Sequence, residues 1–451
     1  MHMPAVLHLN PEEIDTVEKR GKFTVSVIGC GEKGVLYVVA FAEAGYKVTC
    51  ADANQSLVRR LARGKTPLSE HEIEVKLKSF VRTGQLSTTH EIKNSVSQSD
   101  IIIITITTKI DDKKNPDYSE IENSCKQVGA TLHRGSLVIY GGIAGFGSTE
   151  GAIKEILENT SGLRVGEDFG LAYNPIMLSN RQTIEISNQE LTVAANDKAS
   201  LDAASTVLRT VTKKGVKQIS NIKTAELAAL FAVARRDANA ALANELAVLC
   251  ENAGIEYFEA FKLLVPDTRE SFAPTIAAEQ DREEAYLLLE NAENLNTKLK
   301  LTALARQINE NMVKHVVNLT QNALRSCGNT LRRARVAMLG AVGPKTTAET
   351  LVKLLEAKGA KISIYDPLSG KTETSEMTRM FKRSLNAAVE GASCVVILTE
   401  HDPFKHLNLK KLRTVMKMPA AIVDLTGKIE LQKVEKAGFI YRGLGRGVEK
   451  K

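Results

Sequence analysis

Short apolar runs separated by glycine turns and helical stretches fill the first third of the chain. Residues 24–28, TVSVI, make a strand-length run, followed by the glycine-rich GCGEKG and the amphipathic helix pattern VLYVVAFAEAG. YKVTCAD, DIIIITITT, GSLVIYGG, EDFGLAYNP and LTVAAN come next, each a buried-strand candidate with turn or helix signals between. Repeated β-α-β of this kind predicts a doubly wound parallel sheet.

From Lys223 the pattern changes. KTAELAALFAVARRDANAALANELAVLCENAG holds helical spacing for about thirty residues without Gly or Pro before Gly254, as one very long helix or two joined end to end. A second helical stretch, beginning REEAYLLLENAENLNTKLK, runs to a stop at Gly328. Then ARVAMLG, KISIYDP, CVVILTE, PAAIVDL and GFIYRGLG return the chain to β-α-β. The expected fold is therefore α/β, with two Rossmann-like doubly wound domains joined by a long-helix dimerisation segment. Its parts are residues 1–221, 222–330 and 331–451. The halves differ in length and in their glycine turns, which excludes a tandem repeat. The Ala-rich stretch is too apolar to stand free, so a homodimer built on it is expected.

Composition narrows the class. The balance of 60 basic and 53 acidic residues gives +7, dispersed without the basic stripe that a nucleic-acid face requires. Six cysteines lack CxxC or metal-ligand spacing, which fits reduced packing thiols and no metal site. The first twenty residues are too polar for a secretory signal, and no apolar run is long enough to span a membrane. A soluble, cytoplasmic protein is expected.

Candidate chemistry begins at Gly29-Cys30-Gly31-Glu32-Lys33-Gly34, a GxGxxG between a strand and a helix. A second strand ends in Asp52, eighteen residues after Gly34. Such glycines permit a tight turn and close approach of a pyrophosphate to a helix N-terminus, where free N–H groups favour negative charge. Asp52 suits a ribose 2′-hydroxyl and repels a 2′-phosphate, which favours NAD over NADP. The alternative is a glycine-rich turn with Asp52 capping its strand; the full context favours the dinucleotide. Glu32 inside the turn would weaken pyrophosphate binding.

Taken with the rest of the chain, these residues resemble the UDP-glucose/GDP-mannose dehydrogenase family, nearest its UDP-N-acetylmannosamine 6-dehydrogenase branch. SDIIIITITTKI resembles the family's strand and threonine loop, which adds Thr107 and Thr108 to the implied cofactor contacts. TAELAALFAVARRDANAALANELAVLCENAGI resembles its dimerisation helix, and LARQINENMVKHVV, YDP, ILTEHDPFKHLNL, IVDLTG and YRGLGRG are similar to the acetylmannosamine branch. Arg236, Asp237, Asn239, Asn244 and Glu245 keep the helix's polar pattern, either to hold the dimer, to approach a ligand, or as ordinary helix surface.

The family's G-G-H-C-x-P-x-D-P-Y aligns without a gap on PTIAAEQDREEAY when its tyrosine is set on Tyr286. Ala277 and Ala278 then replace the glycines, Glu279 the histidine, Gln280 the nucleophilic cysteine and Glu284 the aspartate. In the family a thiolate captures the aldehyde between two hydride transfers; a carboxamide cannot. The family's lysine falls on Ala229, its asparagine on Val233, its hydrolytic glutamate on Ile176 and its water-binding threonine on Ile143. The arginine-bearing C-terminal segment reads AVGPKTTAET. Cys250 and Cys327 could substitute as nucleophiles only if the alignment slipped; both read better as packing cysteines. The apolar replacements are those of a polar site filled in and packed. The resemblance implies an NAD-binding, UDP-sugar-binding homologue that has lost its catalytic residues, acting by binding or regulation, as a homodimer or with an active paralogue. The alternative is an active NAD-dependent oxidoreductase on a UDP-sugar with a non-covalent mechanism. A third is a structural dimer without ligand.

Overall fold

The structure, a computed structural model, describes residues 5–66, 71–111, 113–176, 185–264, 272–276, 284–340, 346–367, 379–399 and 402–447. They divide into two compact units, 1–233 with 283–298, and 234–282 with 299–451.

The first unit is built on eight strands: β1 (Thr24–Ile28), β2 (Lys47–Ala51), β3 (Leu86–Thr89), β4 (Ile101–Ile104), β5 (Leu137–Tyr140), β6 (Gly170–Tyr173), β7 (Leu191–Ala194) and β8 (Val216–Ile219). Their order is β8-β7-β6-β5-β4-β1-β2-β3. The run β3-β2-β1-β4-β5-β6 is that of a dinucleotide fold, in which the order reverses between β1 and β4 and opens a crevice at the strands' C-terminal ends. β4, β5 and β6 are buried along their whole length, as strands covered on both faces must be.

Three expectations change here. The sheet is not wholly parallel, because Tyr173 of β6 pairs antiparallel with Ala194 of β7. An antiparallel neighbour starts at the end where its partner stops, so no crossover is needed. Helix α1 (Glu32–Glu43) is not amphipathic, since every residue from Lys33 to Ala42 is buried. It packs in a core with Ile73, Leu77 and Ile186, so it is covered on more than its sheet side. The edge strands β3 and β8 carry no apolar run and were not foreseen.

The Ala-rich stretch is one helix, α2 (Ile222–Ala253). The second helical stretch is two, α3 (Ala285–Asn294) and α4 (Lys300–Ser326), broken where Asn296 takes φ +54°. Asn tolerates that left-handed conformation at low cost.

In the second unit α4 lays Met312, Val316, Val317, Ala323 and Leu324 onto a parallel sheet. Its strands are β9 (Arg335–Leu339), β10 (Lys361–Tyr365), β11 (Cys394–Ile397), β12 (Ala421–Asp424) and β13 (Ile440–Gly443), in the order β10-β9-β11-β12-β13. All five were expected. Asp424, fully buried, accepts from the N–H groups of Thr426, Gly427 and Ile429 and from the Tyr441 hydroxyl, so its carboxylate shapes the turn after β12.

The same unit explains part of the helix pattern. Arg306 Nη1 donates to Asp237 Oδ1 (2.7 Å), and Asn309 Nδ2 donates to that carboxylate (2.8 Å). Asn244 Nδ2 donates to Asn309 Oδ1 (2.9 Å), and its own Oδ1 accepts from Thr275 N (2.8 Å). Asp237 and Asn244 are fully buried, while Glu245 is exposed and Arg236 and Asn239 are half-buried. Removing one member of a buried ion pair costs about 3–5 kcal/mol, whereas apolar replacement of both is close to neutral. Asp237→Ala should therefore lower the unfolding free energy by about 3 kcal/mol in urea titration. Asp237→Leu with Arg306→Met should recover most of that loss; equal loss in single and double variants would contradict this role.

Candidate functional site

Residues of the first unit converge at the β1/β4 crevice. Gly29 takes φ +106°, and a side chain there would meet Thr105 Oγ1 at 2.6 Å. A Cβ on Gly34 would lie 1.8 Å from the Gly29 carbonyl oxygen, so only glycine lets α1 start this close to β1. A Cβ on Gly31 would meet nothing within 4 Å. The helix N-terminus therefore faces open space, as a group approaching its free N–H donors requires.

Asp52 lies beside this turn, partly exposed. Its Oδ2 accepts from Cys30 N and its Oδ1 from Asn54 N, each at 2.7 Å. Both bonds orient the carboxylate, and each oxygen keeps a lone pair for a hydroxyl donor. These features fit a dinucleotide.

The two charged residues of the turn behave differently. Glu32 is exposed. Lys33 is buried, with Nζ 3.3 Å from Oε1 of the equally buried Glu284. The pair ties the residue just before α3 to the cofactor turn and offsets the lysine charge. Gln280 and Ala277, Ala278 and Glu279 lie outside the described residues, as do Met177 and residues 341–345.

Across the crevice, Thr107 is half-buried and Thr108 buried. Thr108 N donates to Ile143 O (3.1 Å), joining the two loops. The loop at 142–149 is then held through its backbone. Phe146 N donates to Asn291 Oδ1 (2.5 Å), while Gly147 N and Thr149 N donate to the two carboxylate oxygens of Glu226 (2.7 and 2.8 Å). Burial pushes the Glu226 pKa up, and these hydrogen bonds oppose it. Sequence reading missed Glu226 and Asn291. The signal was there: Ile222, Ala225, Glu226, Ala229, Leu230 and Val233 share the buried stripe of α2, and a carboxylate on such a stripe needs donors. Asn174, fully buried, was missed as well; it lies 2.7 Å from the Tyr37 hydroxyl and donates to Thr192 O.

Ile143, Ile176, Ala229 and Val233 are all buried. Space nevertheless remains beside Ala229. A pocket of about 310 Å³ opens there, lined by Pro175, Thr192, Lys217, Thr224, Ala228 and Ala229 among others. Of the alternative thiols, Cys327 is buried and Cys250 half-buried, and burial is the largest cause pushing both pKa values up. That disfavours the thiolate at either. Among the described residues no cluster of three or more His, Cys, Asp or Glu could hold a metal, and no helix is long and apolar enough to cross a membrane.

Three family models match in chain order. Residues 23–212 match the NAD binding domain of the UDP-glucose/GDP-mannose dehydrogenase family, residues 223–311 its central domain, and residues 345–430 its UDP binding domain. UDP-N-acetyl-D-mannosamine dehydrogenase of Pyrococcus horikoshii is 30% identical, with 94% of this chain and 99% of that protein covered. UDP-N-acetyl-D-glucosamine 6-dehydrogenase of Pseudomonas aeruginosa is 25% identical, over 89% and 96%. The solved UDP-D-ManNAc dehydrogenase of Pyrococcus horikoshii superposes with a TM-score of 0.79 at 28% identity, covering 94% of this chain and 99% of that one. With the dinucleotide turn and strand order already described, these matches place the chain in the UDP-glucose/GDP-mannose dehydrogenase family, with NAD as its cofactor.

Proposed function

We propose that this protein is a UDP-N-acetylmannosamine dehydrogenase-like homologue that binds NAD and a UDP-sugar but no longer carries out the family's four-electron oxidation. One observation carries the reading: Gln280 stands where the resemblance puts the nucleophilic cysteine. Bound NAD supplies a hydride acceptor; the protein must supply everything else. A carboxamide nitrogen lone pair is delocalised and cannot capture an aldehyde. Ala229, Val233, Ile176 and Ile143 offer no charge, proton or hydrogen bond where the resemblance places a lysine, an asparagine, a glutamate and a threonine. Losing one oxyanion donor costs about 10²–10³ in rate, and losing the nucleophile closes the covalent route. The role is then binding or regulation in the cytoplasm, alone or beside an active paralogue. The 310 Å³ pocket beside Ala229 favours a second reading, in which a small polar ligand still enters and a single two-electron step survives.

In this reading Gly29, Gly31 and Gly34 shape the cofactor turn, Asp52 takes the ribose, and Thr107 and Thr108 border the nicotinamide side. Lys33, paired with Glu284, holds the turn to the residue just before α3, and Glu32 is exposed. The partner is a second copy of the chain, docking on α2, where Leu242, Leu246 and Leu249 are exposed at helical spacing.

NAD should raise the melting temperature more than NADP, each compared with the ligand-free protein. A ligand at a hundred times its Kd adds about 2.7 kcal/mol. Asp52→Ala should remove the difference, and no shift with millimolar NAD would sink the cofactor assignment. Light scattering should report a dimer, and Leu246→Glu should yield monomer that keeps its circular dichroism; a wild-type monomer at micromolar concentration would reject the interface.

The catalytic claim is tested with a panel of UDP-sugars and NAD, following NADH absorbance and uronate by mass spectrometry. No uronate with two NADH formed is expected. Gln280→Cys alone should not restore it, because Glu279 beside the thiol disfavours the thiolate and positions 229, 233 and 176 supply no partner. Stoichiometric uronate from the unmodified protein would falsify the loss of catalysis. One NADH per sugar, with a ketone or aldehyde product, would select the second reading.

A further inference from the structure

Two thiols meet under the cofactor turn. Cys30, between Gly29 and Gly31, and Cys50, on β2, have their Sγ atoms 2.7 Å apart, well inside ordinary sulfur contact. Cys30 is 1% exposed and Cys50 fully buried. The other four cysteines take no part in this contact. Nineteen residues separate the pair, including all of α1, so a bond between them would tie the turn to the neighbouring strand.

Cys30 also links the two elements through its backbone. Its N–H donates to Asp52 Oδ2, and Gly29 N–H donates to Ala51 O at 2.8 Å. A shift of Cys30 is therefore felt at Gly31 and at Asp52.

We propose that Cys30 and Cys50 are a redox couple, oxidised by hydroperoxide to a disulfide that weakens dinucleotide binding at the turn they underlie. The chemistry balances with one peroxide. Cys30 is 1% exposed, so peroxide reaches it when the turn opens locally; its Sγ then attacks the peroxide O–O bond, becomes a sulfenic acid and releases one water. Cys50 Sγ then displaces the hydroxyl from Cys30 sulfur, which leaves as the second water; both thiol protons end in water and the sulfurs are joined. Burial, first among several causes, pushes the Cys50 thiol pKa up, which disfavours its thiolate and leaves the first attack on peroxide to Cys30. Joining the sulfurs brings them from 2.7 Å to about 2.0 Å. The bond also fixes Cys30 to β2, and because the Cys30 N–H donates to Asp52 Oδ2, the constraint acts on both the N–H cradle and the Asp52 carboxylate.

The regulatory half rests on the NAD reading above; the couple itself does not. The folded protein is treated with hydrogen peroxide, blocked with iodoacetamide and mapped by non-reducing peptide mass spectrometry, and NAD affinity is measured by calorimetry before oxidation, after it, and after dithiothreitol. The expected result is one Cys30–Cys50 linkage and NAD binding at least about fivefold weaker, reversed by the reductant. Cys50→Ser should bind NAD like the reduced protein before treatment, and after it should lack the linkage and carry the sulfenic acid on Cys30. No Cys30–Cys50 linkage, or a linkage with unchanged affinity, overturns the proposal. If the reduced protein fails to bind NAD, the cofactor reading and the regulatory half fall together, while the peptide map still decides the couple.

Discussion

The Gly29 carbonyl oxygen lies 1.8 Å from where a Cβ of residue 34 would be, so the first unit depends on a hydrogen atom at that point. With glycine there, α1 begins directly above β1 and its next ten residues sink into the core. With any other residue the helix lifts, and Tyr37 and Phe41, both fully buried, lose their seats. The crevice at β1/β4 follows from the same contact, because it aims the helix N-terminus at the open side of Gly31. Thr105 closes the turn from beneath by donating to the carbonyl oxygens of Ile28 and Gly29.

Much of this was legible in the sequence, for a physical reason. Strands buried on both faces must be apolar, so β4 and β5 announce themselves as IIII and LVIY, and the inner strands of the second sheet as VAML, CVVI and AIVD. The edge strands are different. β3 is LSTT and β8 is VKQI, with side chains turned partly to solvent, and polar edges of this kind resist pairing with other chains. Their polarity hid them from a search for apolar runs. Helix α1 misled in the opposite direction, because nothing local says that a second layer covers its outer face. At the site, the glycines and Asp52 were readable as a spaced motif and Glu226 as a carboxylate on a buried helix stripe, whereas Asn174 and Asn291 act through bonds to partners far along the chain and have no spacing to read.

Charge inside the first unit is handled by two devices. Glu226 is surrounded by backbone donors, which keep a buried carboxylate tolerable without a counter-ion. Lys33 is met by another side chain, Glu284, 251 positions along the chain. The first device fixes a loop and the second fixes a crossing of distant segments. Each draws its strength from the low-dielectric surroundings, and each is costly to break on one side only.

Retention of a polar pattern does not by itself argue for retained chemistry. Asp237, Asn244, Arg306 and Asn309 belong to the motifs that carry the family resemblance, yet in this chain they bond to one another and to Thr275 in a buried network. Such a network survives the loss of a reaction, because leaving any member unpaired costs stability whether or not a substrate is turned over. Catalytic groups have no such protection. An apolar residue at a buried position, such as Ala229 or Ile143, carries none of the cost of holding polar groups in a dry interior. The two kinds of position are under different constraints, and a scaffold can keep the first whatever becomes of the second. The scaffold of this chain therefore speaks for the family and the cofactor, and the reaction is a separate question that only a turnover measurement answers.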